Sequence, residues 1–306
     1  MADNSLDYSG PPWYDKDEHG RIDVLAIPER LRTHPEIRRR GIVLAEPAKP
    51  GSVYTTFSLQ DPQHAVKILS NETEERSIYE MLLADIRNPR NHTIPGELTE
   101  TGYPLLIMPR LWDYSNLHRG REWTLHETLG YFLQVVEGVE YLHRRRIAHL
   151  DLCEGNIIVS GPEDEPYHEG VGAFRIFIID FDSAQRFPLG PGNQPAISLP
   201  PTQMPPPNGL KHFDPYAWDV YCTGHILQNI MLLNYEERTP PQVVRWYVQW
   251  LIGSERGCTT VCHCRPTARR ARQVLVLIRC AVRISELWVA LFRTSRRLLD
   301  SRSTPE

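Results

Sequence analysis

The stretch His149-Leu150-Asp151-Leu152-Cys153-Glu154-Gly155-Asn156, followed further along by Phe177-Ile178-Ile179-Asp180-Phe181-Asp182, carries the fold of this chain. Asn156–Val159 and Arg175–Ile179 are short apolar runs that suit strands. Asp151 and Asn156 therefore sit just before or at the start of one strand, and Asp180 just past another. An Asp and an Asn five residues apart, with a second Asp beyond a neighbouring strand, supply a few hard oxygen ligands. That donor set suits Mg²⁺ shared with a phosphate group, and it leaves Asp151 to orient an attacking hydroxyl. Upstream, His64-Ala65-Val66-Lys67-Ile68-Leu69 puts an amine on a strand, and Glu75 lies on the helix that follows. A lysine held by such a glutamate is a fixed cation for further phosphate oxygens. Phosphoryl transfer asks for charge neutralisation, in-line positioning and a weak base, and these residues offer all three.

Outward from this core, the chain divides by composition. Residues 1–35 are polar and read as a loose N-terminal extension. Gly41–Ala45, Ser52–Leu59 and His64–Leu69 are β-rich runs separated by Pro and Gly, which predicts an antiparallel meander. Asn71 or Thr73 reads as the N-cap of a helix with Glu74 and Glu75 in its first turn, running to about Ile86, and Leu105–Met108 reads as one more strand. From Thr124 the pattern turns helical: Leu125–Arg144 has apolar residues at helical spacing, and Ala217–Tyr235, Pro241–Ile252 and Thr267–Leu299 read as further helices. Pro188–Pro215 is a long proline-rich loop, of a length that points to function in a compact domain. The resulting division is 1–35, a β-rich lobe 36–111, a helical lobe 112–272, and a basic helix and tail 273–306.

Composition excludes several classes. The 306 residues are 41% hydrophobic and 24% charged, which is globular rather than disordered, collagenous or coiled-coil. A net charge of −4 carries no nucleic-acid signature. The charge is uneven, since Arg265–Glu306 holds ten arginines against three acids. No segment reads as transmembrane. Val220–Tyr235 is too short, and Arg279, Arg283 and Glu286 interrupt Gln273–Phe292. The acidic, polar stretch Met1–Tyr14 is no signal peptide, so the expected compartment is the cytoplasm. The six cysteines are expected to be free thiols, the cluster Cys258, Cys262, His263 and Cys264 being too tight for a structural zinc site.

Taken in order, the motifs from about Gly41 to Arg272 resemble the eukaryotic protein kinase superfamily. Ala65-Val66-Lys67 resembles its Val-Ala-Val-Lys strand, and Glu75 the helical glutamate that pairs with that lysine. Leu106-Ile107-Met108-Pro109-Arg110-Leu111 resembles the adenine-binding hinge, with Met108 as gatekeeper. His149–Asn156 resembles the catalytic loop HRDLxxxN, and Asp180-Phe181-Asp182 resembles DFG. Asp219-Val220-Tyr221-Cys222-Thr223-Gly224 is similar to Asp-Val-Trp-Ser-x-Gly, whose aspartate binds the catalytic-loop backbone, and Arg265-Pro266-Thr267-Ala268 to a motif near the domain end. The resemblance implies an α+β, bilobal kinase-like fold, with a small β-rich N-lobe carrying one helix and a mostly helical C-lobe. It implies ATP and Mg²⁺ as cofactors, Asp151 and Lys67 as catalytic residues, and Lys67, Glu75, Met108, Leu111, Asn156 and Asp180 around the nucleotide. Asn156 and Asp180 would hold the metal. The partner would be a protein, as Ser/Thr substrate or as binding partner.

Several positions depart from the family pattern. The turn Glu46-Pro47-Ala48-Lys49-Pro50-Gly51 lacks the glycine-rich loop, and its prolines lack the N–H groups that cradle phosphate. Lys49 offers an amine in their place. Leu150 replaces the arginine of HRD, so switching by loop phosphorylation is not expected. Cys153 replaces a lysine and Asp182 a glycine. The Ala-Pro-Glu motif is missing, which leaves Arg265 to find another acid or solvent. Two alternatives therefore stand beside a divergent Ser/Thr kinase: a pseudokinase that binds partners, and a small-molecule phosphotransferase of the aminoglycoside or choline kinase type, which Ile179–Asp182 also resembles. His149 is expected to be a core histidine bonded to backbone, and Trp218 and Trp246 to be packing residues. The last helix is expected to pack through Val274, Leu277, Ile278, Val282, Ile284 and Leu287.

Overall fold

A computed structural model describes residues 10–57, 62–118, 123–207, 210–236, 238–254 and 260–300, the last twelve of these by backbone alone. Two short helices, α1 (Glu29–Arg32) and α2 (Pro35–Arg39), precede a five-stranded sheet. Its strands are β1 (Leu44–Lys49), β2 (Val53–Thr56), β3 (His64–Ile68), β4 (Glu97–Leu98) and β5 (Leu105–Pro109), in the order β1-β2-β3-β5-β4. Helix α3 (Glu75–Ala84) lies between β3 and β4 in the chain. The remainder is mostly helical: α4 (Tyr114–His118), α5 (Leu125–Arg144), α6 (Pro215–Asn234), α7 (Gln242–Ile252) and α8 (Ala268–Asp300). Short strands β6 (Trp112–Asp113), β8 (Ile157–Val159) and β9 (Ile176–Ile178) form a small sheet in the order β6-β8-β9, and β7 (Ile147–Ala148) pairs with β10 (Gln185–Arg186). Within the proline-rich segment, β11 (Ile197–Ser198) pairs with β12 (His212–Phe213). This β-rich N-terminal region and helical C-terminal part are the α+β, bilobal arrangement of a kinase-like fold.

Local chemistry sets the main helices. Thr124 and Glu127 close a capping box at the start of α5, which satisfies backbone donors that helix geometry leaves orphaned. Asp214 accepts from the backbone of Tyr216 and Ala217, and Pro215 follows it at the first turn of α6. The meander β1-β2-β3 is antiparallel as expected. Its first strand, however, runs on through Pro47 to Lys49 rather than ending at Ala45. Register shifts on both sides of Pro47 make room for the missing N–H on what is an edge strand.

The sheet buries both faces, and this corrects the expectation of a loose N-terminus over its described part. Side chains alternate along a strand. Ala65, Leu106 and Met108 enter the main core with Ile78, Tyr79 and Leu82 of α3, whereas Val66, Ile68, Leu105 and Ile107 point to a second cluster. Trp13, Leu31 and Ile37 cover that second face. Trp13 packs edge-on against Tyr103 with ring centroids 4.9 Å apart, and the Arg30 guanidinium lies 4.0 Å above its ring. The same segment clamps the β1–β2 turn. The Trp13 N–H donates to the Gly51 carbonyl at 2.9 Å, and a Cβ at Gly51, whose φ is +82°, would meet Pro12 at 2.6 Å.

Two other expectations change. Helix α8 packs along α5 through Ala268, Ala271, Leu275, Ile278 and Val282, with Val274 beside them. Leu277, Ile284 and Leu287 are exposed, because they fall on a different stripe of the helix. Trp246 is half exposed and stacks on Trp250, while Trp218 is fully buried. Among the described residues Arg265 meets no acid, and it is buried: its Nε donates to the Ile252 carbonyl at 2.7 Å, and the guanidinium lies 5.1 Å from both the Phe213 and Tyr221 rings.

Because Trp13 anchors a whole sheet face, Trp13→Ala is expected to lower stability by about 3–5 kcal/mol. Equilibrium urea unfolding measures this, and an unchanged midpoint would mean that the N-terminal segment is not part of the fold.

Candidate active site

Lys67 sits on the central strand β3, between Val53 of β2 and Leu106 of β5. Its Nζ donates to Glu75 Oε1 and to Asp180 Oδ1, each at 2.5 Å. The phase of α3 settles which acidic neighbour is used. Glu75 is fully buried, whereas Glu74 precedes the helix and accepts from the Arg186 backbone at 3.3 Å. Lys49, at the end of β1, reaches the other oxygen of Asp180 at 3.3 Å. Asp180 follows β9 in the left-handed conformation, φ +63°, which Asp tolerates better than most residues. Phe181 behind it packs edge-on against Tyr79 of α3, centroids 5.0 Å apart.

These charges are unequal. Burial works against the ammonium of Lys67, but Glu75 and Asp180 outweigh it and raise its pKa. Burial also opposes ionisation of Asp180, yet Lys67, with Lys49 beyond it, holds its carboxyl down at about 2. Among the described residues Glu75 has no second cation. Its burial outweighs the pull of Lys67 and lifts its pKa to about 7, and its Oε2 has no hydrogen-bond partner.

The loop 149–156 is held by a buried frame. Asp219 of α6 accepts from the backbone N–H of Leu150 at 2.9 Å and of His149 at 2.8 Å, and its Oδ2 lies 2.9 Å from His143 Nε2. The Trp218 indole donates to the Leu150 carbonyl at 2.8 Å. Leu150 has a φ of +66°, a conformation that costs a non-glycine residue about 1–3 kcal/mol. Asp219 and Trp218 offset this by satisfying both of its backbone groups. His149 is the expected core histidine: it is fully buried, its Nε2 donates to the Ile179 carbonyl at 2.9 Å, and its Nδ1 accepts from the Asp151 N–H at 3.4 Å. One ring thus ties the Asp151 loop to the residue before Asp180. Asn156 donates through Nδ2 to the Asp151 carbonyl at 2.8 Å, which leaves its amide oxygen uncommitted among the described residues.

Met108 is buried on β5 opposite Ala65, and Leu111, just past the strand, is half-buried against the core. Between them, Arg110 donates to the Thr56 carbonyl at 2.7 Å and pairs with Glu46 at 2.8 Å, which ties this connection to β1 and β2. Two participants escape sequence inspection. His143 meets Asp219 from α5, one helix away from the loop it supports. Gln203, in the proline-rich segment, donates its backbone N–H to Asp151 Oδ1 at 2.7 Å and its side-chain Nε2 to Oδ2 at 2.9 Å. No signal in the sequence singles out either residue. Cys258 lies outside the described residues. Among the described ones, no group of three or more His, Cys, Asp or Glu is placed to hold a metal ion.

No family model matches the chain. It is similar over part of its length to curated protein kinases. Serine/threonine-protein kinase par-4 of Caenorhabditis elegans is 26% identical over 130 residues, 41% of this chain and 19% of that protein. Serine/threonine-protein kinase stk11 of Xenopus laevis is 30% identical over 104 residues, 33% of this chain and 22% of that protein. Striated muscle preferentially expressed protein kinase of Danio rerio is 39% identical over 61 residues, 20% of this chain and 2% of that protein. The chain therefore spans about a fifth or less of the relatives it matches. Together with the fold, these matches support a kinase-like domain.

The Glu75 carboxyl has a testable consequence. Its folded pKa, about 7, lies above the unfolded value of 4.5. The stability it contributes is complete below pH 4.5 and is lost as pH rises through 7. Between pH 5 and pH 8 the protein is expected to lose up to about 3 kcal/mol relative to Glu75→Gln. Comparing the two by denaturant unfolding cancels the opposing titration of buried histidines such as His92. Parallel pH profiles would contradict the assignment.

Proposed function

We propose that this protein transfers the γ-phosphate of ATP to a Ser or Thr hydroxyl of a protein, with Mg²⁺ in the cleft. The supporting observation is the buried Lys67 ammonium, shared at 2.5 Å by a carboxylate from α3 and one from the end of β9. The residues fit a nucleotide and a divalent ion. Asp180 stays ionised to about pH 2, and the Asn156 amide oxygen is uncommitted. Glu75 anchors Lys67 from behind through Oε1, and its Oε2 has no partner. Asp180 and Asn156 would hold the ion, which supplies charge neutralisation at the phosphates.

In this account Lys67 binds phosphate oxygens as a fixed cation, Met108 and Leu111 border the adenine, and Lys49 replaces the N–H donors that Pro47 and Pro50 cannot give. Asp151 orients the acceptor hydroxyl and takes its proton as the oxygen bonds to the γ-phosphorus. The bond from that phosphorus to the bridging oxygen breaks, and ADP departs. The five described cysteines are free, the state that a reducing compartment such as the cytoplasm maintains. Among the described residues no helix is long and apolar enough to cross a membrane. A second reading, a pseudokinase that binds a partner without transfer, draws support from the β1–β2 hairpin, which has Pro47 on β1 and Pro50 in the turn and is clamped by residues 12–14.

Labelled phosphate from ATP is expected on a protein acceptor. Transfer should fall by about 10²–10⁴-fold in Asp151→Asn. Lys49→Ala should raise KM for ATP about tenfold and leave affinity for adenosine unchanged. Nucleotide binding with no transfer would support the pseudokinase reading instead. Turnover of an amine or alcohol metabolite without protein labelling would support the small-molecule phosphotransferase.

A further inference from the structure

The carboxylate that should receive the acceptor hydroxyl is already filled. Gln203 caps both oxygens of Asp151, one from its backbone and one from its side chain. Gln203 is itself exposed, so no apolar burial forces it there; the carboxylate holds it. The segment around it is built to present that residue. Its ends are fixed where Ile197 pairs with Phe213 and where Leu199 donates to the Lys211 carbonyl at 3.2 Å. Leu199, Met204 and Leu210 pack on the main core. Thr202 Oγ1 donates to the Met204 carbonyl at 2.8 Å, which folds the tip. The prolines at 200, 201, 205, 206 and 207 stiffen it and reduce the entropy lost on docking. A cavity of about 520 Å³ lies between the two arms of the segment, lined by Pro201, Thr202, Pro206 and His212 among others.

We propose that residues 200–206 are a built-in pseudosubstrate, in which Gln203 stands where the acceptor hydroxyl of a proline-rich protein segment binds. This rests on the phosphotransfer reading above. With Gln203 seated against both oxygens of Asp151, the place from which an acceptor hydroxyl would reach the carboxylate is occupied, so the resting protein is closed at the acceptor site while its Lys67 side stays intact. A substrate of this class competes with the segment by offering the same extended, proline-flanked backbone with Ser or Thr at the central position. The transferred atoms balance as before: the acceptor oxygen gains the phosphoryl group, its proton passes to Asp151, and ADP leaves.

The test compares wild type with Gln203→Ala, which removes the side-chain donor, and Gln203→Pro, which also removes the backbone donor. Both change an exposed position. Phosphate transfer to an eight-residue peptide repeating residues 200–207, with serine at the Gln203 position, is measured alongside hydrogen exchange at the Gln203 amide. The expected result is a rise of about tenfold for Gln203→Ala and a larger one for Gln203→Pro. Preference for that peptide over a scrambled one, and faster exchange at Gln203 in Asp151→Ala, are also expected. Equal transfer by wild type and both variants would overturn the proposal, as would equal use of the scrambled peptide. Unchanged exchange at Gln203 in Asp151→Ala would overturn the docking itself. Absence of transfer in every form would instead remove the phosphotransfer reading and the pseudosubstrate role that rests on it.

Discussion

One ammonium between two carboxylates, buried where the two lobes meet, is the constraint on which the site depends. Lys67 comes from the sheet, Glu75 from α3 and Asp180 from the loop after β9, so the ion triad exists only when three separate elements are in place. Burying such charges is costly, and removing one partner from a buried pair typically costs about 3–5 kcal/mol because the other is left uncompensated. The triad therefore links the position of α3 to that of the Asp180 loop, and the Phe181–Tyr79 packing makes the same link through apolar contact. The asymmetry of the two acids follows from their surroundings. Asp180, with Lys49 on its far side, stays charged, whereas Glu75 has only Lys67 and low-dielectric walls.

A second frame keeps the 149–156 loop rigid. Asp219 and Trp218 hold Leu150 in a strained backbone conformation, and His149 bridges the loop to the Ile179 carbonyl. The leucine at position 150 brings no charge of its own, and the Asp219 and Trp218 side chains hold the loop through its backbone instead. On the sheet side, the β1–β2 hairpin is stiffened by Pro47 on β1 and Pro50 in the turn, and is closed over by Pro12, Trp13 and Tyr14. A flexible, glycine-rich cover is replaced by a fixed one, and Lys49 is the charged group that this turn brings toward Asp180.

The motifs at 67, 149–156, 180 and 219 were legible because each needs particular residue types at fixed spacings beside apolar runs. The order of those motifs carried the bilobal arrangement with it. Other features were illegible for stated reasons. Trp13, Leu31 and Ile37 look like isolated apolar residues in a polar stretch, since the sheet face they cover is formed by residues far along the chain. Strand β3 is buried from Ala65 to Ile68, Lys67 included, so no polar-apolar alternation reveals that it has two buried sides. The phase of α8 is not legible because two apolar stripes run along it, and only contact with α5 decides which is inside. Arg265 was expected to need an acid, but a helix-terminal carbonyl and two aromatic faces serve instead. Gln203 carries no signal at all, because its role depends on the shape of a proline-rich segment rather than on its own chemistry.

Calorimetric titration of ATP, with and without Mg²⁺, tests the central claim most directly when wild type is compared with Lys67→Met. The account predicts Mg²⁺-dependent binding of ATP that is tighter than binding of adenosine, and a loss of at least about tenfold in Lys67→Met while the variant remains folded. Equal affinity for ATP and adenosine, indifferent to Mg²⁺ and to the Lys67 amine, would contradict it.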